Sequence, residues 1–90
     1  MFNISYTDRA KRDIAKLKRN EPDSFQKAVK LLNEIVDHPR TGTGHPEPLK
    51  GGHGEQWSRR ITQKHRLVYE IRDCEILVLV LTAYGHYDDK

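Results

Sequence analysis

The chain has 90 residues, of which 36% are hydrophobic and 32% charged, with a net charge of +3 and a pI of about 9.1. That is enough for one modest core and excludes two domains or a natively disordered tail-like chain. No apolar run approaches the ~20 residues of a membrane span.

No basic–apolar leader opens the chain, so the cytoplasm is the expected location, with no membrane association. The lone Cys74 has no internal partner for a disulfide and suits a reducing compartment. Five cations (Arg59, Arg60, Lys64, Arg66, Arg72) fall between Trp57 and Arg72 against one carboxylate, Glu70. That local excess favours a polyanionic partner more than the net charge does.

Phe2 to Tyr6 alternates apolar and polar, which predicts a short half-buried strand. Thr7 or Asp8 is placed to cap the helix that follows. Over Asp8–Arg19, Ala10, Ile14 and Leu17 share one face, while Arg9, Arg12, Lys16 and Arg19 line the other. Asn20-Glu21-Pro22 breaks this helix, and Pro22 suits the first position of the next. Phe25, Ala28, Val29, Leu32, Ile35 and Val36 recur at helical spacing over Pro22–Asp37, and His38-Pro39 ends the pattern. Two such helices form a hairpin whose apolar stripes need a sheet to cover.

Arg40 to Pro48 carries no periodicity and reads as a loop, and Gly51-Gly52-His53-Gly54 as a second, flexible link. Three strands are predicted after it, at Trp57–Thr62, Arg66–Arg72 and Glu75–Ala83, with a tight turn at Asp73-Cys74. The last is apolar on both faces, as in a strand covered on two sides. The order β-α-α-β-β-β predicts an α+β domain over residues 1–87, an antiparallel sheet packed on a helical hairpin, with 88–90 as a short tail.

Among polar residues, Glu47 stands out because Pro46 and Pro48 hold its backbone extended, and a general base needs positioning above all. His86, flanked by Tyr84 and Tyr87, has the proton affinity of a general acid near neutral pH. No histidine pair has metal-ligand spacing, so neither metal nor cofactor is expected. Alternation puts Arg59 on the face of Trp57, nearer a buried or interfacial surface than Arg60. Arg66 lies on the polar face of its strand, where a guanidinium can clamp a phosphate. A base, an acid and cations are the groups needed to hold and cut an RNA backbone.

The blocks Pro-Glu-Pro-Leu-Lys (46–50), Trp-Ser-Arg-Arg-Ile-Thr (57–62), His-Arg-Leu-Val-Tyr (65–69) and His86-Tyr87 closely resemble the YoeB/Txe family of bacterial toxins, part of the RelE-like group. The resemblance spans about Gly44 to Tyr87. It implies a RelE-like, microbial-ribonuclease-like fold and metal-independent, ribosome-dependent cleavage of mRNA through the 2′-hydroxyl, giving a 2′,3′-cyclic phosphate. On this likeness Glu47 is the general base, His86 the general acid and Arg66 the stabiliser of the phosphorane. Lys50 and Arg59 would be supporting cations and Tyr87 the aromatic that stacks on or orients a base. Implied partners are a YefM/Axe-like antitoxin, the ribosome with its mRNA, and a second toxin copy in a homodimer. The competing expectation is a non-catalytic RNA- or ribosome-binding inhibitor, or a ParE-like gyrase poison, on the same fold.

Overall fold

A computed structural model describes residues 1–50 and 54–85. It contains β1 (Asn3–Tyr6), α1 (Asp8–Asn20), α2 (Pro22–Ile35), β2 (Glu47–Pro48), β3 (Glu55–Arg60), β4 (Arg66–Arg72) and β5 (Leu77–Thr82). The strands form one sheet in the order β1-β5-β4-β3-β2.

Local chemistry accounts for the helix boundaries. Thr7 caps α1: its Oγ1 accepts from the Ala10 N–H at 3.0 Å and donates to the Leu81 carbonyl at 2.8 Å, so one hydroxyl starts the helix and ties it to β5. Glu21 ends α1 by donating its N–H to the Leu17 carbonyl, and it begins α2 by accepting from the Phe25 N–H. Pro22 then occupies the first turn, where its missing N–H costs nothing. The predicted stripes hold the core in part: Leu31, outside the expected stripe, is fully buried, while Ile14, Phe25, Val29 and Val36 are only half-buried. Ala10 and Leu17 of α1 join Ala28, Leu31, Leu32 and Ile35 of α2 against Leu67, Tyr69, Ile71, Val78 and Val80 of the sheet. Each fully buried aliphatic side chain there contributes about 1.5–3 kcal/mol.

Three expectations are corrected. The sheet is not wholly antiparallel, because β1 pairs parallel with β5, Ile4 beside Val78 and Tyr6 beside Val80. Between these parallel neighbours the helical hairpin and the rest of the sheet supply the long crossover they require. A fifth strand exists at Glu47–Pro48, read from sequence as loop; Pro48 is tolerated because β2 is an edge strand and needs no outward donor. Asp73–Glu75 is a 3-10 turn rather than a two-residue one. Ile76 follows in the left-handed region (φ 50°), exposed, so β5 begins only at Leu77.

The register defines two faces. Leu67, Tyr69 and Ile71 of β4 meet the helices, so Arg66, Val68 and Glu70 point to the opposite side. Among the described residues, no helix is long and apolar enough to cross a membrane.

Candidate active site

Glu47 pairs with Ser58, and Ser58 with Val68, which places Glu47 on the sheet face away from the helices. One row along, Arg60 of β3 pairs with Arg66 of β4 on that same face. Ordinary strand spacing then separates the Cα atoms of Glu47 and Arg66 by roughly 12 Å. A glutamate and an arginine reaching towards each other span that gap with room for one phosphate between them. Glu47 is exposed and Arg66 half-buried, and among the described residues no ion pair engages either.

Arg60 is exposed, and its cross-strand partner is a like charge. Two guanidinium groups directly opposite repel unless an anion sits between them. The pairing of β4 with β5 shifts between Val68 and Tyr69, leaving Leu81 as the extra residue, a bulge that bends β5 beside the end of β4 that carries Arg66.

The chain returns to Arg66 after β5. The Arg66 N–H donates to the Gly85 carbonyl at 2.9 Å, so the residue immediately before His86 lies against the backbone of the candidate phosphate clamp. His86 and Tyr87 themselves fall outside the described residues, as does the tail 88–90. Lys50 is exposed, two residues past β2.

Arg59 does not face this site. It is fully buried on the helix side, as its alternation with Trp57 predicted, and it is not available as the substrate-contacting cation that the family likeness implied. Its guanidinium pairs with Glu34 Oε1 at 2.5 Å and donates to the carbonyls of His38, Thr41 (2.7 Å) and Thr43 (3.2 Å). Its Nε donates to the Tyr69 hydroxyl at 3.1 Å, which in turn donates to the Pro39 carbonyl at 2.6 Å. Arg59 thus gathers the loop between α2 and β2, the segment that carries Glu47 to the sheet edge. Gly42 permits the closure: at φ +120°, any Cβ there would collide with the Glu34 carboxylate. A second clamp on this loop is Arg40, which bridges Glu55 (2.6 and 2.9 Å) and Asp73 (2.7 Å).

The groups that sequence reasoning missed are Arg60, Glu34 and His65. For Arg60 the signal was present: if Arg59 alternates inwards, its neighbour takes the outer face. For Glu34 and His65 there was no local signal.

Three carboxylates are held below their ordinary range. Thr43 N–H holds Glu34, the Arg40 guanidinium holds Glu55, and the His65 ring holds Glu21. A depressed carboxyl binds its proton less readily folded than unfolded, so its contribution is full above the unfolded value of about 4.3 and is lost as pH falls below it. The melting temperature is therefore expected to drop between about pH 4.5 and pH 2, with a shallower slope in Glu34→Gln. A melting temperature constant over that range in calorimetry contradicts these pairings. Among the described residues, no group of three or more His, Cys, Asp and Glu side chains converges to hold a metal.

Comparison with known proteins bears on the family and the fold. The model of the "YoeB-like toxin of bacterial type II toxin-antitoxin system" family matches residues 6–87. A toxin YoeB of Synechocystis is 36% identical over 78 residues, 87% of this chain and 91% of its own length. The YoeB/ParE toxin of Agrobacterium tumefaciens superposes with a TM-score of 0.88 at 31% identity, over 96% of this chain and 100% of that one. In a YoeB-YefM complex from Staphylococcus aureus, the matching chain gives a TM-score of 0.80 at 31% identity, covering 97% of this chain and 99% of its own. The α+β sheet-and-hairpin fold, the motif blocks along β2 to β4 and these matches have one reading: the chain belongs to the YoeB-like family of bacterial type II toxin–antitoxin toxins.

Proposed function

We propose that the chain is a ribosome-dependent mRNA endoribonuclease. The observation that carries this reading is the register across β2, β3 and β4, which puts Glu47, Arg60 and Arg66 on one face of the sheet while Gly85, one residue before His86, is bonded to Arg66. RNA brings its own nucleophile. Glu47 removes the proton of a 2′-hydroxyl, the 2′-oxygen attacks phosphorus, and Arg66 neutralises the charge gathering on the phosphorane oxygens. His86 donates a proton to the departing 5′-oxygen. The bond to the 5′-oxygen breaks as the bond to the 2′-oxygen forms, leaving a 2′,3′-cyclic phosphate and a 5′-hydroxyl. No redox change or co-reactant enters. A site at the surface of a sheet holds RNA loosely, and the ribosome supplies the missing orientation by presenting mRNA in a fixed path.

The antitoxin of this toxin is of the YefM/Axe kind, a reading supported by the related Staphylococcus aureus toxin whose structure is a complex with YefM. A toxin homodimer is supported by the YoeB dimer of Staphylococcus aureus, 31% identical to this chain. The cytoplasm, where ribosomes and mRNA meet, is the compartment in which it acts. The test is end-mapping of a defined mRNA incubated with the purified chain, with and without ribosomes. Discrete cuts bearing cyclic phosphate ends, found only with ribosomes, are expected. Arrest with intact transcripts contradicts this reading and favours an inhibitor that binds ribosomes or gyrase without cutting RNA.

A further inference from the structure

We propose that His65 is a positioning residue: it pins the backbone of Gly85, and so sets where the chain leaves the sheet towards His86. The inference rests on the ribonuclease reading only for what His86 does once positioned. His65 lies in the turn between β3 and β4 and is almost fully buried, 3% exposed. Both ring nitrogens are committed. Nε2 stands 2.7 Å from Glu21 Oε2, and Nδ1 accepts from the Gly85 N–H at 2.9 Å. An amide N–H only donates, so Nδ1 carries the lone pair and Nε2 the proton, which it gives to the Glu21 carboxylate. One tautomer satisfies both bonds, and an imidazolium satisfies only one.

Each end of this relay is anchored. Glu21 is the joint of the helical hairpin, bonded through its backbone to Leu17 of α1 and Phe25 of α2. The imidazole packs against the Tyr84 ring, centroids 4.2 Å apart, and the Lys16 ammonium caps that ring at 4.3 Å. The His65 N–H is held by Thr62 Oγ1 at 3.2 Å. On the far side, Gly85 is gripped twice by consecutive residues: its N–H by the His65 ring, its carbonyl by the Arg66 N–H. Nearby, Asp13 of α1 accepts the Ala83 N–H at 3.0 Å. Gly85 turns the chain at φ +81°, and a Cβ there would meet nothing within 4 Å, so the glycine serves the backbone bend and not a close contact.

An ordinary core histidine needs only some partner for each nitrogen. This one spends its acceptor on the N–H of Gly85, the residue before His86. It links the rigid helix joint to the candidate phosphate clamp and to the residue read as the general acid. A displacement of about 1 Å in an acid costs up to on the order of 100-fold in rate, so the pin matters to chemistry more than to folding.

Two isosteres separate the bonds. His65→Gln puts an amide nitrogen near the Nε2 position, keeping Glu21 and losing the Gly85 acceptor. His65→Asn puts an oxygen near the Nδ1 position, keeping Gly85 and losing Glu21. In the ribosome-dependent cleavage assay, His65→Gln is expected to lower kcat by roughly 10–100-fold with KM little changed, and His65→Asn to stay within about threefold of the wild type. Equal losses in both variants, or no loss in His65→Gln, overturn the proposal. If His65→Gln fails to fold, the wild-type chain decides by NMR. A scalar coupling across the hydrogen bond from the Gly85 amide nitrogen to His65 Nδ1 is expected, and its absence with Nδ1 protonated overturns the pin. Failure of the ribonuclease reading is told apart from this: the wild-type chain then leaves mRNA uncut while the Gly85 coupling persists.

Discussion

Glu47→Gln is expected to slow ribosome-dependent cleavage by on the order of 10²–10⁴-fold, the usual worth of one positioned base. The amide is isosteric, still accepts hydrogen bonds and cannot take a proton, so the loss isolates proton transfer. Glu47 is exposed in an edge strand of two residues, and the melting temperature is therefore expected to stay within a degree or two of the wild type. Arg66→Ala is expected to fall by a similar factor for a different reason. It removes the guanidinium opposite Arg60 and relieves a like-charge pair, so the folded chain is unharmed while the charged transition state loses its clamp. Single-turnover cleavage of a programmed ribosome complex measures both. Glu47→Gln cutting at the wild-type rate would remove the glutamate from the mechanism, whatever Arg66→Ala does.

The sequence made some of this legible and hid the rest, and the division follows the range of the interactions. Ala10, Ile14 and Leu17 announce the core face of α1 because helical periodicity is local, and Thr7 announces its cap for the same reason. The ends of β4, at Arg66 and Arg72, are legible because alternation runs unbroken between two turns. β2 was invisible. One glutamate between two prolines has no period, and what makes Glu47–Pro48 a strand is the edge of β3, brought there by a distant loop. The parallel pairing of β1 with β5 was hidden too, since seventy-odd residues separate Ile4 from Val78 and nothing in either segment encodes direction. The two adjacent arginines carry the clearest lesson. Alternation assigned Arg59 to the inner face, yet the family likeness asked it to serve substrate. Only the closing of the Arg40–Gly44 loop over its guanidinium decides between these, and that closure depends on Glu34 and Gly42. His65 reads locally as one polar residue in a turn; its burial needs the helix joint at Glu21 and the returning chain at Gly85, both remote in sequence.

Arg59→Ala carries the largest expected effect on stability. The side chain is fully buried and its donors serve Glu34, three main-chain carbonyls and the Tyr69 hydroxyl. Truncation leaves the Glu34 carboxylate with Thr43 alone and strips the guanidinium from three loop carbonyls and the Tyr69 hydroxyl. Hydrogen bonds to a charged group are worth about 1.5–3 kcal/mol each, so losing this set costs several of the roughly 5–15 kcal/mol that hold a domain together. Arg59→Lys is expected to recover little of it. One ammonium has no planar fork with which to serve Glu34, His38, Thr41 and Tyr69 at once. Glu34→Gln is expected to cost less, because the amide oxygen still accepts from Thr43 and from the guanidinium. Urea unfolding monitored at Trp57, which packs against the same core, ranks the three variants. The order Arg59→Ala, then Arg59→Lys, then Glu34→Gln follows from counting the partners each change leaves unpaired. A cost for Arg59→Ala below about 1 kcal/mol would mean that water reaches the site and that the loop carrying Glu47 is held by Arg40 instead.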